Sequence, residues 1–449
     1  MGATQELAKF VVSFDFDEIP ERIVSLTKLF ILDWTGSALV GSSWKQARIV
    51  IDLVKESYRR GRSTIIGDGS RVSSIGAALA NGTMSHVVEL DDAHYGANVH
   101  MGVVTIPAAL AVAENKSAGG RDLINSVVLG CETQARIGIA VNPSHYNKRQ
   151  FHSTGTVGSL GAAVVAGKLL NLNEEELAMA IGIAGTQAAG LKESFGTMCT
   201  FLHAGMAAYH GVLAAVLVQR GFTGSRTILE GDRGFCHAMS DGYDLGKITE
   251  DLGRRFEMEN IAFKRHVGCA CSHAAIDALL DILGQNAISP DTIEEVDVDL
   301  GVMAYDNVSR IPTPRTIHEA MFSLPYCLAV ASFDRAASLP QFTEDKVRND
   351  KISDFTKRVR VRKGDFEGMG ARVTVKTTGQ HEYVNMVKAH KGNVGNPLSR
   401  GEIVDKFRML AGYLLPEERI DRIINLVDTL DDLRNVRDLT NLLRWKTDF

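Results

Sequence analysis

Between residues 104 and 220 the chain repeats helical patterns whose faces are built from glycine and alanine. Gly155, Gly158, Gly161, Ala162, Ala163, Ala166 and Gly167 fall on one face, and Ala178, Ala180, Gly182, Ala184 and Gly185 on the next. Side chains this small let helix axes approach closely, so the pattern predicts a tightly packed all-helical core. The helices share no fixed period, which argues against a solenoid. Helical patterns also cover 19–60, where Pro20 opens a run with Ile23, Leu26, Leu29, Phe30 and Trp34, and 73–88. A connector rich in Gly, Ser and Arg separates them at 61–72.

The texture changes near residue 265. Alternation at 293–300, 358–362, 372–377 and 382–387 predicts half-buried strands, with 378–381 as a hairpin turn. Helical patterns at 271–284 and 316–335 lie among them. Residues 391–401, with Gly392, Gly395, Pro397 and Gly401, read as a linker, and helices resume to about 445. The expected fold is mainly α with a smaller α+β domain. An all-helical domain spans 1–267, an α+β lid 268–394, and the chain returns to the helical domain over 395–449. Such a path places a cleft between two bodies, a usual ligand site.

Net charge −5 and a pI near 6.2 give no electrostatic reason to expect nucleic acid as a partner. No run of about eighteen uninterrupted apolar residues is present, so no membrane span is expected. The first ten residues read as an amphipathic helix, not a signal peptide. Six cysteines in 449 residues argue against a disulfide scaffold and for a reducing cytoplasm.

Chemistry concentrates at 81–110. Three carboxylates (Glu89, Asp91, Asp92) and three histidines (His86, His94, His100) crowd between two helical runs. Neighbouring charges shift pKa values toward neutrality, which proton transfer needs; the alternative is a solvated acidic turn. Gly96 and Gly102 are expected to turn the backbone, and Pro107 suits the first turn of the next helix. His152 stands just before a Gly-rich helix, whose N-terminus favours an anion. The glycines that follow lack the dinucleotide spacing. His266, Cys269, Cys271 and His273 could be drawn as a zinc site, but Cys-x-Cys without a second, distant pair is a poor match.

The 81–110 stretch resembles the His…Asp-Asp…His signature of the MmgE/PrpD family, which includes 2-methylcitrate dehydratase, cis-aconitate decarboxylase and iminodisuccinate epimerase. Residues 196–206 resemble its Gly-Thr-Met-x-Lys-x-Leu-His-x-Gly-Arg pattern, with Thr200 for the lysine and Met206 for the arginine. Lys192 is the nearby lysine that could substitute. The resemblance covers roughly 5–445 and implies the same architecture, usually as a homodimer.

It also implies that Lys264, His100, His152, Asp92 and Tyr326 carry catalysis, and that Glu89, Asp91, Thr200, His203, Cys269 and His273 meet substrate. On the residues alone, His203 reads as structural, packing one helix on the next. Family reactions labilise a bond next to a carboxylate through an enolate-like species. No metal or organic cofactor is needed where cations and hydrogen-bond donors stabilise the charge. The expected activity is a lyase, a dehydratase or decarboxylase, acting on a small di- or tricarboxylic acid. The alternative is an epimerase of an amino- or imino-dicarboxylate; a binding protein that kept the fold is a third reading. Lys264 is expected to stabilise the developing enolate, with Lys264→Met sparing the fold.

Overall fold

The computed structural model describes residues 2–366 and 368–445. Its helical body includes Glu21–Gly41, Ser74–His86, Gly102–Lys116, Gly120–Val141, Ser153–Leu169, Glu174–Thr186 and Cys199–Gln219. Glycines set the closest crossings. A Cβ on Gly205 would lie 2.1 Å from Thr83 Oγ1 and 2.5 Å from the Leu79 carbonyl, so the 74–86 and 199–219 helices meet backbone to backbone. Gly211 meets Ala162 in the same way, and Gly161 meets Gln134. Every residue of the 153–169 helix except Lys168 is buried. The small faces are thus largely consumed inside one chain.

By length and composition, two helices could cross a membrane, Glu21–Gly41 and Cys199–Gln219. The first escapes a search for uninterrupted apolar runs because Lys28 and Asp33 interrupt it. Their most apolar stretches are 78% and 56% buried within the protein, so the core uses much of that surface.

The 61–72 connector folds as a short hairpin of β1 (Ser63–Thr64) and β2 (Arg71–Val72). A second small ladder pairs β3 (Asp92–His94) with β4 (Ile261–Phe263) antiparallel. The four expected strands form one sheet from β5 (Ile293–Leu300), β6 (Val359–Lys363), β7 (Ala371–Thr377) and β8 (Glu382–Val387), in the order β6-β5-β7-β8. Only β5 and β6 run parallel. Val296, Val298, Val373 and Val375 are buried on the face that packs toward the His273–Asn286 helix. On the other face Asp297 pairs with Arg362 and Lys376. Alternation along each strand therefore separates core from ion pairs.

The expected helix at 316–335 is broken. Ile317–Ala320 ends, and the Ser323 hydroxyl then accepts the Tyr326 N–H to start Leu324–Asp334, with Pro325 in its first turn. After the linker, Arg400–Ala411 packs on Glu21–Gly41, Phe407 and Leu410 lying over Gly36. Lys406 on this returning helix pairs with buried Asp33 at 2.7 Å and donates to the Leu90 carbonyl at 2.6 Å. The C-terminal segment is thereby tied to the 86–94 stretch.

Gly205→Ala should lower stability by about 1–3 kcal/mol, because the added methyl meets backbone that cannot retreat. Gly284→Ala, on a helix with no atom within 4 Å of the new methyl, should instead stabilise by about 0.5–1 kcal/mol. Urea midpoints of both variants check the pair.

Candidate active site

The β3–β4 ladder assembles the site. It sets Asp92 opposite Phe263, so Lys264 emerges beside the segment that follows the 74–86 helix. The Lys264 ammonium lies 2.6 Å from Glu89 Oε2 and 3.2 Å from Asp91 Oδ1, and all three side chains are at most 3% exposed. Glu89 adopts a left-handed backbone (φ 49°), costly for a side-chain-bearing residue. Its carboxylate on Lys264 and its carbonyl, which accepts the Gly268 N–H at 3.1 Å, hold it there. Gly268 has φ 109°, and a Cβ there would come within 2.7 Å of the Met321 carbonyl.

Asp91 also faces two imidazoles. Its Oδ2 is 2.9 Å from His100 Nδ1 and 3.1 Å from His86 Nδ1. His100 Nδ1 is 2.6 Å from the Asp92 carbonyl as well, which places a proton on Nδ1 and leaves Nε2 available. Burial disfavours the charged ring of His100, but the Asp91 carboxylate outweighs it and raises the pKa above the ordinary value. Burial opposes ionisation of Asp91 too, yet Lys264 and the two histidines hold it well below the usual carboxylate range.

His152 is the opposite case. Burial, then the neighbouring His203, His86 and His100, push it well below 6.5. Its Nδ1 lies 3.0 Å from His203 Nδ1, and burial takes His203 down to about 4. Two nearby imidazoles are therefore driven apart, His100 toward the charged form and His152 toward the neutral one, as an acid and its partner require.

Asp92 has a different place. Its carboxylate accepts the N–H groups of Met101 at 2.8 Å and Gly102 at 2.9 Å, capping the 102–116 helix. Burial and the adjacent Asp91 raise its pKa to about 6. Gly102 is needed because a Cβ would sit 2.6 Å from Asp92 Oδ1; neither it nor Gly96 has a positive φ. The left-handed turns fall on Glu89 and Asn98 instead. With the helix starting at Gly102, Pro107 lies in its second turn, not its first.

A narrow cavity of about 50 Å³ opens against these groups. His86, Glu89, His100, His152, Thr200, Cys269 and Cys271 line it, together with Tyr95, Asn98, Tyr146 and Asn307. Phe195, Met303 and Phe322 supply apolar wall. Among the described lining residues none is Lys or Arg. Lys264, Asp91, Asp92 and His203 stand behind this wall, reaching the cavity through their neighbours. Thr200, where the family carries lysine, donates its hydroxyl to the Ser194 carbonyl at 2.6 Å. Met206, where the family carries arginine, does not line the cavity.

Two expected residues lie elsewhere. The Tyr326 hydroxyl donates to the Gln341 carbonyl at 2.6 Å and its ring packs on Phe342, inside the core of the α+β part. His273 is buried between the rings of His266 and His390. The tyrosines at the cavity are Tyr95 and Tyr146. Tyr95 donates to His390 Nε2 at 2.6 Å, and Tyr146 accepts from Asn307, which leaves its own O–H free.

The zinc-like set does not assemble, because His266 turns to Asp277 at 2.8 Å while both thiols face the cavity. A different trio could hold an ion. Among the described residues, His86, His100 and His152 each bring a ring nitrogen within 4.8 Å of the others.

Models of the MmgE/PrpD N-terminal domain and the MmgE/PrpD C-terminal domain match residues 5–247 and 266–432. The chain belongs to the MmgE/PrpD family. It is 27% identical over 470 residues to a cis-aconitate decarboxylase of Aspergillus terreus, covering 98% of this chain and 96% of the relative. A cis-aconitate decarboxylase-like protein of Aspergillus oryzae is 29% identical over 476 residues, with 98% and 97% covered. The human cis-aconitate decarboxylase is 25% identical over 461 residues, with 98% and 94% covered. In this MmgE/PrpD chain, sequence reasoning missed Tyr95, Asn98, Tyr146 and Asn307. Tyr95 and Asn98 lie inside the 81–110 stretch and could have been found there; Tyr146 and Asn307 carry no local signal.

The geometry also corrects the expectation for Lys264→Met. With its ammonium gone, Glu89 would remain buried without a lysine partner and Asp91 would keep only its two imidazoles, so the variant should lose about 3–5 kcal/mol of stability. Glu89→Gln in the same chain should restore part of that loss. A double-mutant cycle in urea checks both.

Proposed function

We propose that the chain is a decarboxylase acting on a small unsaturated tricarboxylate of the cis-aconitate type. The observation that carries this reading is the pairing of His100 with Asp91 at the wall of the cavity, in a chain similar over nearly its whole length to cis-aconitate decarboxylases. In such a substrate one carboxylate sits β,γ to the double bond. Its C–C bond breaks and CO₂ leaves. The released pair moves through the alkene to the carbon next to another carboxylate, forming an enolate-like species. The His100 Nε2 proton then goes to that carbon, and water restores it.

His100 suits this step because Asp91 keeps it charged, and its held Nδ1 aims the ring. Neutral His152 and the free O–H of Tyr146 are the groups able to donate to the developing charge. Lys264 acts one layer back, fixing Glu89 and Asp91. The epimerase reading draws on the uncharged cavity wall at Thr200, which suits a substrate with fewer carboxylates.

Enzyme dialysed against EDTA should release CO₂ from cis-aconitate; activity that returns only with an added metal ion would assign the three histidines to an ion. Hydrogen exchange from D₂O into an amino-dicarboxylate without CO₂ would favour the epimerase. His100→Gln should lose about 10²–10³-fold in kcat with little change in Tm. Because His100 must be protonated and its pKa is raised above the ordinary imidazole value, kcat/KM should fall as pH rises past that raised pKa. Asp91→Asn should move this limb to lower pH; an unmoved limb means another donor.

A homodimer is part of the proposal. Leu202, Met206, Tyr209, Leu213 and Val216 form a half-buried stripe along the 199–219 helix, at spacing that suits a second copy. Light scattering should give twice 48.8 kDa, and Leu213→Glu should shift the mass toward one chain.

A further inference from the structure

A tricarboxylate entering this cavity would meet no unneutralised lysine or arginine among the described lining residues, since Lys264 behind the wall is held by Glu89 and Asp91. The cations stand at the mouth. A second hollow, of about 370 Å³, adjoins the cavity and shares Phe195, Asn307 and Phe322 with it. Lys192 and Arg310 line this hollow, and among the described residues neither forms an ion pair. Glu193 and Asp306 line it too, but Asp306 is paired with Lys363 at 3.2 Å.

The backbone fixes Lys192 beside the catalytic segment. Its N–H donates to the Gln150 carbonyl at 2.9 Å, while the His152 N–H donates to the Gly190 carbonyl at 3.1 Å. Residues 190–192 therefore form a strap along the segment that delivers His152, with Leu191 bridged to Phe151. The Lys192 ammonium lies 3.9 Å above the ring of Tyr146, a residue that also lines the cavity. Burial lowers the Lys192 pKa, which marks an ammonium only partly hydrated and ready to take an anionic partner.

We propose that Lys192 and Arg310 form a carboxylate subsite at the mouth, which holds the substrate carboxylate farthest from His100 and supplies the cation that Thr200 does not. The inference rests on reading the cavity as the site of a small polycarboxylate. It assigns the substrate's direction: the reacting carbon lies inward at His100 and His152, and the distal carboxylate points outward. It also makes the third carboxylate a determinant of binding, since the strap cation sits outside the reacting chamber. A lysine ammonium acts here as a point charge, so Arg310 contributes by charge and by its fork.

The test separates binding from turnover by calorimetry with two unreactive probes, tricarballylate with three carboxylates and glutarate with two. Wild type should bind tricarballylate more tightly. Lys192→Met should weaken tricarballylate roughly tenfold or more and glutarate less than about twofold, at unchanged Tm. Lys192→Arg should retain most of the affinity, and Arg310→Gln should reproduce part of the loss. Added salt should narrow the gap between wild type and Lys192→Met. Equal tricarballylate affinity in wild type and Lys192→Met, with wild-type CO₂ release from cis-aconitate intact, overturns the subsite alone. Failure of wild type to bind either probe, together with no CO₂ release, overturns both the subsite and the decarboxylase reading.

Discussion

The buried contact of Lys264 with Glu89 and Asp91 is the interaction on which the rest of the site depends. Three charges are removed from water, and only their mutual attraction makes that tolerable. The cation comes from the segment that opens the α+β part, and the two carboxylates come from the segment that follows the 74–86 helix of the helical body. The pair therefore works as a clasp as much as an electrostatic device. It holds Glu89 in a left-handed turn and fixes Asp91 where both His86 and His100 can reach it. Lys406, from the returning helix, fastens the same segment through Asp33 and the Leu90 carbonyl.

From that clasp follows a division of labour between imidazoles. Asp91 is ionised because Lys264 stands beside it, and His100 is charged because Asp91 is ionised. Around His152, burial and three neighbouring histidines outweigh the pull of Asp91, so its neutral form prevails. Chemistry needing a proton donor beside a neutral hydrogen-bonding partner is thus built from two residues of one type. The difference lies wholly in what surrounds them. The cost is a cavity whose described lining residues include no lysine or arginine.

Much of the architecture could be read along the chain. The Gly and Ala faces at 155–167 and 178–185 announced close helix packing, and Gly205 and Gly211 show its mechanism, a backbone meeting a neighbour where a methyl would collide. The four alternating segments became one sheet with the expected 378–381 hairpin between β7 and β8. Local reading failed where a polar side chain redirected the backbone. Ser323 stopped and restarted a helix, and Asp92 capped one early enough to move Pro107 into its second turn.

For the site, the sequence by itself determined the inventory. Carboxylates and histidines crowded at 86–100, His152 before a helix and Lys264 at the change of texture are all features of local spacing. What only the tertiary structure decided is which of them face the cavity and in which protonation state. Lys264 and Glu89 are separated by 175 positions, and no periodicity reports that their charges cancel. Tyr326 and Tyr95 look alike as sequence, yet one is tied to Gln341 in a core and the other lines the cavity against His390. Periodicity records how often a residue is buried. The partner it is buried with, which sets its charge and its chemistry, is a property of the folded chain.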